Sequence, residues 1–180
     1  MRNDTRAQKI RDLLVISGPG DTVMVIGCDA CGGVGPKELD AVNVPAYITG
    51  RFTSRVALME VLASGAAPVA LVSNLCCEPD PTGIEITRGL TDELTESGLL
   101  DDVAITGSSE KNIPCSQTAL GVTVIGLARR GDLRFGRSSK GDEIVCIGFP
   151  KVGSEVRLGD PDIADVTLLK RVLELEGVHE

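Results

Sequence analysis

The sequence predicts an α/β or α+β domain, and three observations carry that prediction. Short apolar runs, each stopped by glycine or by an Asp-containing turn, recur along the chain and read as buried strands. Two segments of helical period lie between them. The chain has 180 residues, 42% of them hydrophobic, which suffices for one well-packed domain. Aromatic residues make up 2% and Trp is absent, so the core must be built from Val, Ile, Leu and Ala.

Taken in order, Thr5 to Leu14 reads as a short helix or an arm, and Val15-Ile16-Ser-Gly-Pro-Gly20-Asp21 runs an apolar pair into a glycine turn. Thr22 to Ile26 is a buried strand stopped by Gly27-Cys28-Asp29. Ala30 to Lys37 is rich in Gly and holds Pro36, the composition of a loop whose backbone approaches something closely. Thr53 to Ser64 is a helix with Val56, Met59, Glu60 and Ala63 on one face and Gly65 as its stop. Pro68 to Ser73 is a second buried strand. Gly83 to Gly98 is an amphipathic helix, with Ile86, Leu90 and Leu94 on one side and Glu85, Arg88, Asp92, Glu93 and Glu96 largely on the other. Strands follow at Asp102 to Thr106, Thr118 to Ala128 and Asp142 to Gly148, with Arg129 to Asp132 as a turn. A closing helix is expected over 161–176, with Pro161 in its first turn.

Composition excludes several functions. A formal charge of −8 argues against a general nucleic-acid binder, which needs a basic face to displace counterions. The shortage of aromatics argues against a platform for stacking bases. No apolar run approaches the ~20 residues that span a bilayer, and Met1 to Ile10 carries charges with no apolar signal core, so a cytoplasmic protein without a membrane partner is expected. The six cysteines, Cys28, Cys31, Cys76, Cys77, Cys115 and Cys146, are expected as free thiols. Cys28-Asp-Ala-Cys31 lacks the second pair that a zinc site requires, and the one histidine is His179. A thiol-based metal or redox protein is the weaker rival.

Three apolar segments each deliver one acid beside glycine or onto a helix: Asp29 after the first strand, Glu60 inside the helix, and Glu110 after the Gly107 turn. A carboxylate in apolar surroundings is costly unless its charge is compensated. Mg²⁺ takes oxygen ligands and bridges carboxylates to phosphates, and bare glycine N–H groups can receive phosphate oxygens. Each acid alone is equally well read as a turn or surface residue.

These segments also resemble a known family. Ile26-Gly-Cys-Asp29-Ala-Cys-Gly-Gly-Val-Gly-Pro-Lys37 is similar to the strand-D-G-V-G-T-K element of AIR synthase. Gly50 to Pro68, with Ala57-Leu-Met-Glu60 and a G-A-x-P end, resembles the family's acidic helix. Gly107-Ser-Ser-Glu110 resembles its G-G-D/E-T element, and Lys140-Gly-Asp142 to Gly148 its P-G-D strand. The ordered set spans about residues 13–158 and resembles the N-terminal domain of the AIR synthase-like (PurM-like) family, nearest to the AIR synthase-related proteins proposed as α-ribazole kinases of cobalamin salvage. The chain departs from the pattern at Ala57, Glu60 and Gly107-Ser-Ser.

The resemblance implies a mixed sheet with helices packed on one face, pairing into a barrel across a homodimer. It implies an ATP- and Mg²⁺-binding domain over 1–158 and a linker helix over 159–180, with the family's usual second domain absent. It implies ATP- and Mg²⁺-dependent phosphoryl transfer to a hydroxyl of a small molecule. Asp29, Glu60 and Glu110 become metal ligands, with Asp29 and Glu110 also catalytic. Gly18, Gly20 and Asp21 become an entry segment, Gly32, Gly33 and Lys37 a phosphate-proximal loop, and Gly107 part of the cofactor site. The alternatives are a nucleotide-binding regulatory or assembly module without catalysis, or another ATP-dependent enzyme of the family such as an AIR synthase-type ligase.

Overall fold

A computed structural model describes residues 6–180, so the residues before Arg6 lie outside the account, Thr5 among them. Eight strands and three α-helices follow one another: β1 (Ala7–Ile10), β2 (Leu13–Ser17), β3 (Thr22–Gly32), β4 (Val34–Gly35), β5 (Val42–Asn43), α1 (Ala46–Ala63), β6 (Ala67–Leu75), α2 (Ile84–Glu96), β7 (Ala104–Ser109), β8 (Ala119–Arg129) and α3 (Val166–Leu173). Six strands form one mixed sheet in the order β1-β2-β3-β8-β6-β7. All neighbours run antiparallel except β6 and β7, which are parallel and joined through α2. The centre is the pair β3 and β8, in register from Thr22↔Arg129 to Gly32↔Ala119.

Strand alternation sorts the sheet into two faces. Val23 and Val25 of β3, Leu120, Val122 and Val124 of β8, and Leu71 and Leu75 of β6 point inward and are buried. Helices α1 and α2 cover them with Ala57, Leu58, Val61 and Leu62, and with Ile86, Leu90 and Leu94. The opposite face carries Met24, Ile26 and Ile125, half-buried, and Leu14 and Leu127, exposed.

The helices touch through glycine. A Cβ on Gly50 of α1 would lie 2.2 Å from the Ile86 carbonyl oxygen of α2, and one on Gly89 2.2 Å from that of Tyr47. Only a missing side chain permits backbones this close. Beside the contact, Arg51, with 2% exposure, donates to Glu93 (2.6 Å), to Glu96 and to the Tyr47 hydroxyl (2.9 Å). Arg55 donates to both Glu93 oxygens at 2.8 and 3.0 Å. Loss of water lowers the Arg51 pKa, but its bonds to Glu96, Tyr47 and Glu93 outweigh that and raise it.

Several expectations from sequence are corrected. The first segment is neither helix nor arm: Ala7–Ile10 pairs with β2 as a hairpin, with Arg11 at φ 54 in its turn. Helix α1 starts at Ala46, and its buried stripe is Ala57, Leu58, Val61 and Leu62 while Val56 is exposed. Glu93 is buried on the apolar side of α2, because two arginines of α1 receive it there. Asp142 to Gly148 is not a strand; it has no pairing partner and leaves Ile144 99% exposed. The closing helix begins at Val166, where the Asp165 side chain accepts from the Leu168 N–H at 2.7 Å as its cap. Gly65, at φ +88 just past α1, stops that helix as its position predicts.

Candidate functional site

Asp29 sits near the end of β3 on the face turned toward the helices, on the same side as Val23, Val25 and Gly27. Glu60 projects from α1 onto that stretch: a Cβ on Gly27 would lie 3.0 Å from Val61 Cγ2, 3.1 Å from Leu13 Cδ2 and 3.3 Å from Glu60 Oε2, so the carboxylate packs close over the Gly27 backbone. Glu60 Oε2 is buried and has no hydrogen-bond partner, the one such side-chain atom among the described residues. Burial raises the Glu60 pKa, and the charges of Asp12 and Asp29 raise it further. The Asp29 carboxyl is likewise raised by burial, against a lowering hydrogen bond from the Ala30 backbone. Asp12, in the β1–β2 turn, is the neighbour that sequence reasoning missed, since only the hairpin brings it to this edge.

Glu110 does not join them. Asp29 stands opposite Val122, Val122 opposite Ser73, and Ser73 opposite Gly107, so β3 and β7 lie three strand spacings apart. That is about 14 Å before the further steps to Glu110 are added. The Glu110 carboxylate accepts from the Asn112 and Ile113 N–H groups at 2.7 and 3.2 Å, which lowers its pKa. Among the described residues no group of three or more His, Cys, Asp or Glu could grip one metal ion. The expected three-acid convergence is thus replaced by a pair, Asp29 and Glu60, with Asp12 alongside.

The glycine segments separate in the same way. Gly18, Gly20 and Asp21 form the β2–β3 turn, closed by Gly18 N–H donating to Thr22 O at 2.9 Å. They lie at the other end of β3, where even Asp21 is about 26 Å of extended chain from Asp29. Gly107 is packed rather than open: a Cβ there would lie 2.2 Å from the Ser73 carbonyl oxygen. Gly32 and Gly33 close β3 within a few residues of Asp29. Gly33 takes φ +70, while a Cβ on Gly32 would meet nothing within 4 Å. Of the expected phosphate-proximal elements, this stretch alone borders the carboxylate pair along the chain.

Lys37 faces a different neighbourhood. Its Nζ donates to Glu78 Oε2 at 2.5 Å, and its side chain is only 15% exposed. Burial works to raise the Glu78 pKa, but bonds from Lys37 and Thr82 hold it down at about 2. Lys37, Glu78 and Glu110 line one open cavity of about 550 Å³ that also includes Lys111 and Cys115. His179 is occupied elsewhere, 2.9 Å from Asp142. All six cysteines are free; Cys77 is buried, and burial and the Glu78 charge push its thiol up to about 11. No helix among the described residues is long and apolar enough to cross a membrane.

Mg²⁺ fits the pair in part. An orphaned, buried carboxylate oxygen beside a second carboxylate is a donor set for a hard cation, and such an ion needs only one or two protein carboxylates when phosphates supply the rest. The pair does not fit a cluster of ions, which needs ligands this edge lacks.

Comparison with known proteins bears on the fold. No family model matches the chain, and no curated protein matches it. Among solved structures it is similar to tt0281 from Thermus thermophilus, with a TM-score of 0.51 and 15% identity over 66% of this chain and 37% of that one. It is also similar to thiamine-monophosphate kinase from Stenotrophomonas maltophilia K279a (TM-score 0.46, 18% identity, 73% of this chain and 39% of that one). A third is T. maritima PurL complexed with ATP (TM-score 0.44, 18% identity, 68% and 21%). The chain spans less than two fifths of the length of each. At such identities the likeness concerns the fold alone: the chain has the mixed sheet with helices on one face that its sequence predicts, and shares it with tt0281.

Proposed function

We propose that this chain is the ATP- and Mg²⁺-binding part of a small-molecule kinase. The observation that carries the reading is the partnerless, buried Glu60 oxygen held against Gly27 within reach of the Asp29 charge. A buried carboxylate whose proton affinity is raised by burial and by the charges of Asp12 and Asp29 costs stability when ionised unless a cation neutralises it. The ordered motifs of the AIR synthase-like family point the same way.

In this reading Asp29 and Glu60 hold one Mg²⁺, which when bound supplies neutralisation of phosphate charge. Gly32 and Gly33 present backbone beside the phosphates, and the open space around Gly32 accommodates them. Asp12 adds to the negative field that retains the ion. Lys37 is held by Glu78 and serves as a phosphate contact only on leaving it. Catalysis is then positioning and charge neutralisation for in-line transfer, with no histidine as base. The acceptor the resemblance suggests is α-ribazole, and the bare outer face of the sheet, with Leu14 and Leu127, is the surface for a homodimer.

Replacing Asp29→Asn tests the reading by calorimetry. Mg²⁺-dependent ATP binding should weaken at least tenfold with the thermal midpoint unchanged; unaltered Mg²⁺-dependent affinity refutes the assignment. A second reading, a nucleotide-binding module without catalysis, is favoured by the separation of Glu110 from the pair. ATP binding without phosphorylation of any member of a nucleoside panel selects it.

A further inference from the structure

A second cavity lies on the same face of β3, one alternation beyond Asp29. It is small, about 170 Å³. Its walls are Val34 and Val42 from β4 and β5, Val44 from the connection to α1, and Ile48 and Phe52 from the first turns of α1. Cys31, at the end of β3, and Thr53 of α1 contribute the polar edge. Gly153 and Val156, from a turn far along the chain, close the remaining side.

The hydroxyls in this wall are already spent as donors. Thr49 donates to the Val34 carbonyl at 2.9 Å, and Thr53 donates to the Thr49 carbonyl at 2.7 Å. A cavity so lined offers water few partners, and apolar cavities of about 150 Å³ stay dry and accept benzene. Packed cores leave few voids larger than a water molecule. This one is lined by aliphatic side chains and one aromatic ring, from the stretch 31–53 and from the distant turn at Gly153 and Val156.

We infer that this cavity is a binding pocket for one planar aromatic ring of a small-molecule ligand, with the Cys31 thiol in its wall. The nucleobase of a nucleotide and the ring of an acceptor substrate share that chemistry. The inference goes beyond the kinase reading and does not rest on it, because it requires neither Mg²⁺ nor turnover.

Cys31 and Cys28 provide an internal comparison. They lie three residues apart on β3, so they point to opposite faces, and Cys28 is exposed on the outer one. The whole chain is treated with iodoacetamide, with and without saturating toluene, and alkylation of each cysteine is followed by peptide mass spectrometry. Toluene should slow labelling of Cys31 at least tenfold and leave Cys28 unchanged. Equal effects on both, or none on Cys31, overturn the pocket. Val156→Phe, which fills the cavity from the tail and spares the helix packing, should slow Cys31 labelling without toluene and abolish the toluene effect. If Val156→Phe fails to fold, Val42→Phe supplies the same comparison, and a toluene effect undiminished in a folded variant overturns the assignment. ATP and ribose 5-triphosphate, applied without Mg²⁺, identify the source: protection by ATP alone assigns the ring to the nucleobase. Protection by toluene with none from ATP assigns the pocket to another ligand's ring, and the inference stands while the nucleotide reading is judged separately by the Asp29→Asn measurement.

Discussion

Replacing Glu93→Ala should unfold this protein more readily than any surface change. Glu93 is 2% exposed and takes hydrogen bonds from Arg51 and from both the Nε and Nη2 atoms of Arg55. After the substitution Arg51 keeps Glu96 and Tyr47, whereas Arg55 loses the one acid to which it bonds and remains 7% exposed. An uncompensated buried charge of this kind costs ~3–5 kcal/mol. For a domain of this size that corresponds to a fall of roughly 6–20 °C in the thermal midpoint. Urea titration followed by circular dichroism measures the loss, with an unchanged slope showing that the folded state is otherwise intact. A loss under ~1 kcal/mol would refute the reasoning, since it would mean that water reaches Arg55 in the folded protein. The replacement of Arg51, Arg55 and Glu93 together by apolar residues of similar volume should be far milder than Glu93→Ala alone.

Two further expectations concern the helix contact and the carboxylate pair. Gly50→Ala puts a Cβ 2.2 Å from the Ile86 carbonyl oxygen, so α1 and α2 must separate; overpacking predicts a cost of ~1–3 kcal/mol or more, read from the same urea titration. The folded Glu60 has a pKa raised above 4.5, so from that pH upward the folded state keeps its proton where the unfolded chain releases it. Stability contributed by protonated Glu60 is therefore lost as pH rises through the folded pKa, and Glu60→Gln should gain on the parent at neutral pH and gain nothing below 4.5. Unfolding curves over about pH 4 to 8 check the sign, and a constant difference at every pH refutes it. Added Mg²⁺ should stabilise the parent and not Glu60→Gln.

The strands at the sheet's centre and the amphipathic helix α2 were legible because apolar period and glycine stops agree there, as in Thr22 to Ile26 and Ile86, Leu90 and Leu94. The first two turns of α1 were not. Tyr47-Ile-Thr-Gly50 are middling or poor helix formers and Arg51 puts a charge on what becomes the buried side, where the glycine contact and Glu93 receive it. Asp142 to Gly148 has strand composition but no neighbouring edge to pair with, and pairing is a property no single segment encodes. Within the site, the meeting of Asp29 and Glu60 followed from resemblance and not from spacing. Gly107, expected as a ligand cradle, makes space for Ser73 within this chain, a close approach between strands that its own segment does not announce. Asp12 carried no signal at all, because its relevance depends on a hairpin that its own sequence does not announce.

Helix α1 carries Thr53 at the ring-sized cavity and Glu60 at the acidic edge, seven residues further along. A helix advances 1.5 Å per residue, so the two stations stand about 10 Å apart and cannot drift relative to each other. The helix therefore acts as a ruler. Any molecule using both stations must hold its flat end and its anionic end at that interval, and analogues shortened or lengthened between the two should engage one station at the expense of the other.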